Sequence, residues 1–148
     1  IEPYDIALVE QPVPAADWKG LALLTRTLPV PVEADETVET VADVLRVVEG
    51  RVADVVNLKL TKLGGVRNFV TAARILEAGQ VATRMGAAFG PALLQAASAH
   101  AAASLRQLPF ACELSEAEHI LDDPFTPLPI EDGMIMVPAG PGCGVVYA

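Results

Sequence analysis

The chain has 148 residues, of which 52% are hydrophobic and 20% charged, and its formal net charge is −9. This length and composition suit one folded domain with a sizeable core and argue against disorder. The negative charge disfavours binding to nucleic acid or to an anionic membrane, since both require a basic surface. The apolar runs are too short for a membrane span. The cysteines, Cys112 and Cys143, form no metal-type or disulfide-framework spacing, so a reducing, cytoplasmic compartment is expected.

Hydrophobic periodicity predicts strands that alternate with helices over most of the chain. The predicted strands are residues 6–9, 30–34, 53–58, 80–85 and 110–113, and the predicted helices are residues 16–28, 38–48, 66–76 and 91–105. Such alternation implies parallel strands buried on both faces, as in a doubly wound sheet or a (β/α) barrel. No glycine-rich phosphate motif follows the first strand, which disfavours a dinucleotide-binding sheet.

The alternating pattern ends after Asp122. Residues 130–137 are expected to form an extended hairpin around an Asp132-Gly133 turn, and the residues beyond it to be irregular. We therefore divide the chain into a barrel part, residues 1–122, and a C-terminal tail, residues 123–148.

Charged side chains stand at the ends of the predicted strands. In chain order these residues are Glu10, Asp35, Lys59, Arg84 and Glu113. In a parallel barrel the carboxyl ends of all strands lie on one rim, and that rim is where active sites are built. We therefore expect the two carboxylates and the lysine on the first three strands, Glu10, Asp35 and Lys59, to converge in space.

Each of these residues also has a purely structural interpretation. Asp35, with Thr37, could cap the following helix, and Glu10 could favour the N-terminus of the next helix. Lys59 could simply reach solvent along its aliphatic stem. The recurrence of charged residues at successive strand ends favours a functional site over these separate explanations.

The residue types at these strand ends suit metal-assisted proton transfer. Two carboxylates on adjacent strands, Glu10 and Asp35, suit Mg²⁺, or Mn²⁺ in its place. A lysine beside them can have its pKa lowered by burial and by the cation, so that Lys59 could serve as a base near neutral pH. Asn57 shares a strand face with Lys59, and Arg84 could grip a substrate carboxylate. Metal and lysine together can remove a proton α to a carboxylate, because the ion stabilises the enediolate.

Four stretches together resemble the enolase superfamily, in particular the muconate lactonizing side of its mandelate racemase/muconate lactonizing enzyme group. They are Val-Glu-Gln-Pro at 9–12, Ala-Asp-Glu-Thr at 34–37, Asn-Leu-Lys-Leu-Thr-Lys-Leu-Gly-Gly at 57–65 and Val-Pro-Ala-Gly-Pro-Gly-Cys-Gly at 137–144. The resemblance implies a TIM-type barrel in which residues 1–122 supply strands 4 to 8. It implies that Glu10 and Asp35 are the second and third metal ligands, Lys59 the acid/base lysine and Glu113 an acidic residue near the substrate.

The resemblance also implies further protein upstream of Ile1: a capping domain, three barrel strands, a second lysine and the first metal-binding Asp. The tail, residues 123–148, would pack on that capping region. The chain is thus expected to be the C-terminal half of a homo-oligomeric enzyme, inactive without its N-terminal half.

The reaction expected from the resemblance is racemisation, epimerisation, dehydration or cycloisomerisation of a small carboxylate. Residues 108–114 are similar to those of family members that act on amino acids or proline derivatives. The alternative is a non-catalytic α/β scaffold with a binding or assembly role. The presence of Glu10, Asp35 and Lys59 together favours the enzyme.

Overall fold

A four-stranded parallel sheet, in the order β1-β2-β3-β4, forms the centre of the computed structural model, which describes residues 4–147. The strands are β1 (Val9–Glu10), β2 (Val32–Ala34), β3 (Val55–Leu58) and β4 (Ala82–Met85). The helices are α1 (Trp18–Thr27), α2 (Val41–Gly50), α3 (Leu60–Leu63), α4 (Val66–Ala78) and α5 (Ala92–Ala103). The predicted α/β fold with parallel strands is confirmed.

The core lies between the sheet and the helices that cross from one strand to the next. All four residues of β3 are buried, as expected for a strand covered on both faces. The helices contribute fully buried side chains, including Leu21 of α1, Val44 of α2 and Phe69 of α4. Burying a side chain of this size stabilises the fold by about 1.5–3 kcal/mol. Because the strands are parallel, this packing holds all their carboxyl ends at one edge of the sheet.

Side-chain caps set helix starts a few residues later than the periodicity predicts. Helix α2 begins at Val41 because Thr40 and Asp43 form a capping box. The Asp43 N–H donates to Thr40 Oγ1 at 3.2 Å, and the Thr40 N–H donates to Asp43 Oδ2 at 2.9 Å. The possibility that Asp35 caps this helix is therefore wrong, and Asp35 is free for another role.

A short helix that the sequence analysis did not predict, α3, follows β3 directly. Lys59 is its N-cap residue, and α3 ends at Gly64, whose φ of 75° lies in the left-handed region that favours glycine. Gly65, with a φ of 114°, then starts α4. The extra turn brings Lys62 back towards the strand end that carries Lys59.

The predicted fifth strand, residues 110–113, is not a strand in the structure. In the described part of the chain, one backbone hydrogen bond joins this segment to β4, from Glu113 N to Met85 O at 2.9 Å. The carbonyl of Ala111 instead accepts a hydrogen bond from Arg84 Nε at 2.9 Å. One main-chain bond and one side-chain bond thus replace a regular ladder here, and Glu113 still lies beside the end of β4.

The C-terminal part follows the predicted pattern. After a 3₁₀ helix at Glu116–His119, strands β5 (Ile130–Glu131) and β6 (Met134–Ile135) form an antiparallel hairpin, which confirms that prediction. Leu128 packs against α5. That the tail packs on a capping region stays a prediction. None of the helices within residues 4–147 is long and apolar enough to cross a membrane.

Candidate active site

The residues predicted to form the site lie at the carboxyl ends of the parallel strands. Glu10 is the last residue of β1, while Asp35 and Lys59 come directly after β2 and β3. Asn57 of β3 and Arg84 of β4 are register partners. Together with Glu113, these side chains form two clusters, each held together by hydrogen bonds and ion pairs.

The first cluster joins Asp35 to two lysines. Asp35 Oδ2 lies 2.7 Å from Lys59 Nζ, and Asp35 Oδ1 lies 2.7 Å from Lys62 Nζ. Lys62 Nζ also donates to the main-chain oxygen of Asp35 at 2.7 Å. Burial by itself would raise the pKa of Asp35, but hydrogen bonds and positive charge from the two lysines hold that pKa below its usual value. Asp35 is therefore an ionised carboxylate at neutral pH, with both oxygens hydrogen-bonded.

Glu10 is held in the second cluster by an amide and a guanidinium. Its Oε1 accepts from Asn57 Nδ2 at 3.1 Å, and its Oε2 lies 3.1 Å from Arg84 Nη1. Burial raises the pKa of Glu10, the charges of Glu113 and Asp35 raise it further, and Arg84 opposes the increase. Glu10 ends β1 and Asp35 follows β2, so the two carboxylates stand at the ends of neighbouring, paired strands.

Arg84 connects Glu10 to two further carboxylates. Its Nη1 lies 3.0 Å from Glu33 Oε2, and its Nη2 lies 2.7 Å from Glu113 Oε1. Glu33 is fully buried, and its Oε1 has no hydrogen-bond partner among the described residues. Burial raises the pKa of Glu33 to about 7, against the opposing charge of Arg84.

Sequence reasoning missed Glu33 and assigned no role to Lys62. The sequence did contain a signal for Glu33. It lies in the predicted strand two residues before Asp35, and residues two apart in extended backbone point to the same face of a sheet. The role of Lys62 depends on α3, a single turn with too few residues to show a hydrophobic period.

Gln11, next to Glu10, ties the end of β1 to the segment after β2. Its Oε1 accepts from the N–H groups of Asp35 at 2.8 Å and Thr37 at 3.2 Å. Its Nε2 donates to Thr37 Oγ1 at 2.8 Å. The residue beside one candidate metal ligand thus fixes the backbone of the other.

Gly86 leaves the space that the Asn57 side chain occupies. A Cβ at Gly86 would lie 1.7 Å from Asn57 Oδ1, and Asn57 is fully buried and has no room to turn away. We expect Gly86→Ala to lower the free energy of unfolding by about 1–3 kcal/mol, as overpacking does, and to break the Asn57–Glu10 hydrogen bond. Denaturant unfolding measures the loss.

The double variant Gly86→Ala/Asn57→Ala provides the control for this prediction. Removing the obstructing amide should restore much of the stability lost in Gly86→Ala, although the contact to Glu10 stays absent. Full wild-type stability of the single variant would contradict the close approach between residues 57 and 86.

The donor chemistry of Glu10 and Asp35 fits a hard divalent cation. Mg²⁺ is commonly bound through one or two carboxylates and keeps several waters or substrate oxygens. Within residues 4–147, no group of three or more His, Cys, Asp or Glu side chains could hold a metal ion. Glu10 and Asp35 supply the ligand type that Mg²⁺ prefers, but within the described residues they are not part of a group of three such ligands.

Active sites of (β/α)-barrel enzymes are built at the carboxyl ends of the parallel strands, which is where these carboxylates and lysines lie. Residues 1–148 match the family described as Enolase C-terminal domain-like, and the chain belongs to that family.

Individual relatives resemble the chain over nearly all its length. It is 36% identical over 144 residues to muconate cycloisomerase 1 of Rhodococcus opacus, covering 95% of this chain and 38% of the relative. It is 35% identical over 137 residues to o-succinylbenzoate synthase of Thermobifida fusca, covering 86% of this chain and 40% of the relative. The solved muconate lactonizing enzyme from Pseudomonas putida superposes with a TM-score of 0.91 at 31% identity, covering 96% of this chain and 40% of that one. The chain thus spans about 40% of the length of these relatives.

Proposed function

We propose that the complete protein is an isomerase or lyase that removes a proton from the carbon next to a carboxylate in a small substrate. The observation that carries this proposal is the 2.7 Å contact between Lys59 Nζ and Asp35 Oδ2. It puts a group able to transfer protons against a candidate metal ligand, at the edge of the sheet where Glu10 also lies. Two relatives, muconate cycloisomerase 1 and o-succinylbenzoate synthase, are named after small carboxylates, which supports the same class.

Lys59 is the proposed general acid and base. Its neutral amine accepts the proton from the substrate carbon, and the resulting ammonium can return a proton to the product. In the structure Lys59 donates a hydrogen bond to Asp35, so the base form requires that this ammonium give up a proton. Lys62, which contacts the other oxygen and the carbonyl of Asp35, keeps that residue oriented when Lys59 changes its protonation state.

Glu10 and Asp35 are the proposed ligands of Mg²⁺, or of Mn²⁺ in its place. When bound, the ion supplies positive charge that stabilises the anion formed as the proton leaves the substrate. Asn57, predicted from the sequence to contact substrate, is fully buried and donates to Glu10, so we assign it to holding that carboxylate. Glu113, whose side chain is more exposed, remains the proposed substrate-facing carboxylate.

The proposal includes association with further protein. Among residues 4–147, strand β1 is an edge of the four-stranded sheet, and one side of its backbone has no neighbouring strand there. We propose that the remaining barrel strands cover this edge in the complete protein and supply further metal ligands, and that the complete protein self-associates.

Solvent-exchange measurements on the complete protein test the proposed reaction. In D₂O with Mg²⁺, muconate, o-succinylbenzoate and related small carboxylates are incubated with the protein and followed by NMR. We expect deuterium to enter the carbon next to a carboxylate in at least one substrate or its product, and the exchange to stop when EDTA removes the metal. Absence of exchange across the panel, with or without Mg²⁺, would favour the non-catalytic scaffold instead.

A further inference from the structure

Arg84 is held by the protein on several sides. Its Nε donates to Ala111 O at 2.9 Å, and its Nη1 donates to Glu10 at 3.1 Å and to Glu33 at 3.0 Å. Its Nη2 donates to Glu113 at 2.7 Å. Four contacts therefore occupy donors of a group that has five N–H bonds in total. They come from β1, from β2 and from the segment that follows α5.

The carboxylate partners of Arg84 differ in their exposure to solvent. The side chain of Glu33 is 0% exposed and that of Arg84 is 13% exposed, whereas those of Glu10 and Glu113 are 33% and 43% exposed. A guanidinium at this depth requires nearby acceptors and negative charge. Glu33 is the most buried of its three carboxylate partners. Arg84, which is paired with the buried Glu33, thus also contacts the two more exposed carboxylates.

We propose that Arg84 is a positioning residue that fixes the orientation of Glu10 and Glu113, with Glu33 as its buried partner. This inference rests on the proposed function, because it concerns Glu10 as a metal ligand. It also replaces the expectation that Arg84 grips a substrate carboxylate. A bidentate grip needs two parallel N–H donors on one edge of the guanidinium. Contacts with residues in the described part of the chain occupy four of the five N–H groups of Arg84.

The geometry of Arg84, rather than its charge, is what would help a metal to bind. A cation 3.1 Å from Glu10 repels a metal ion on the same carboxylate, so its charge alone weakens binding. The hydrogen bond has the opposite effect, because Arg84 fixes one oxygen of Glu10 while Asn57 fixes the other. Partners that orient a metal ligand in this way change metal affinity or activity by about 10–100-fold when they are removed.

The variant Arg84→Lys in the complete protein separates geometry from charge, because it keeps the cation and removes the planar fork. Mg²⁺ affinity is measured by calorimetry without substrate, and kcat and KM are measured at saturating metal. We expect Mg²⁺ affinity to fall about 10–100-fold and kcat to fall, while KM for substrate stays at the wild-type value. Arg74→Lys makes the same exchange at an exposed ion pair with Glu77 on α4 and should leave Mg²⁺ affinity unchanged.

Two further variants complete the test. Glu33→Gln preserves size but replaces the buried carboxylate that accepts from Arg84 Nη1 with a weaker acceptor, so Mg²⁺ affinity should again fall. This variant tests the inference if Arg84→Lys does not fold. Wild-type Mg²⁺ affinity in the folded Arg84 and Glu33 variants would overturn the inference. A higher KM with unchanged Mg²⁺ affinity would overturn it as well, by assigning Arg84 to the substrate. Wild-type affinity in Glu10→Gln would instead overturn the proposed metal site itself, and with it this inference.

Discussion

In the complete protein, Lys59→Ala is expected to lower turnover by about 10²–10⁴-fold, the usual contribution of a general base. The fold and Mg²⁺ binding should persist, since Lys62 continues to pair with Asp35 at 2.7 Å. Steady-state kcat, combined with denaturant unfolding and Mg²⁺ titration of the same preparation, measures both parts of this expectation.

Lys62→Ala is the matched control for that experiment. Both lysines contact Asp35 and are similarly exposed, at 19% and 18%, so a purely electrostatic role predicts equal losses of turnover in the two variants. A role in proton transfer predicts a far larger loss for Lys59→Ala. Wild-type turnover in Lys59→Ala would show that Lys59 has no role in proton transfer and is only a charged residue at the end of a strand.

Asp35→Asn is expected to lower the free energy of unfolding by about 3 kcal/mol, because it leaves two largely buried ammonium groups without their counter-charge. It should also abolish Mg²⁺ binding, since it removes one of the two proposed carboxylate ligands. Denaturant unfolding without metal measures the first effect, and calorimetric titration with Mg²⁺ measures the second. Combining Asp35→Asn with Lys62→Met should recover part of the stability, because it removes one of the unpaired charges.

The pH dependence of this stability difference has a definite sign. The lysines lower the pKa of Asp35 in the folded state, so its contribution to stability is present above its unfolded pKa of about 3.9 and is lost as the pH falls through the folded value. The difference between wild type and Asp35→Asn should therefore be largest near neutral pH and shrink in acid. Asp132→Asn removes the same formal charge at an exposed turn and is the matched control. A difference for Asp35→Asn that does not change with pH would contradict the ion-pair explanation.

The order of strands and helices was predictable because each element carries its own signal. Val55 and Val56 mark a buried strand, and the apolar face around Phe69 marks a helix. The segment at 110–113 has a comparable apolar pattern, but the structure joins it to β4 by one main-chain hydrogen bond and by the bond from the Arg84 side chain to the carbonyl of Ala111. Local patterns carry no information about such a long-range contact.

Sequence alone predicted several residues of the candidate site better than it predicted the hydrogen bonds between them. Glu10, Asp35 and Lys59 stand at strand ends, a property that sequence spacing shows directly. Which donor meets which acceptor depends instead on the register between β3 and β4 and on the extra turn of α3. For that reason the sequence analysis expected Arg84 to contact a substrate and left Glu33 out, whereas the structure joins these two residues.

The hydrogen bonds of Gln11 have a consequence for engineering this protein. The side chain follows Glu10 directly and fixes the backbone at Asp35 and Thr37. Hydrogen bonds therefore couple the loops after β1 and β2. We expect a change in one loop alone to shift the carboxylate at the start of the other, Glu10 or Asp35. A loop graft that preserves the distance between the carboxylates must transfer residues 10–11 and 35–37 together.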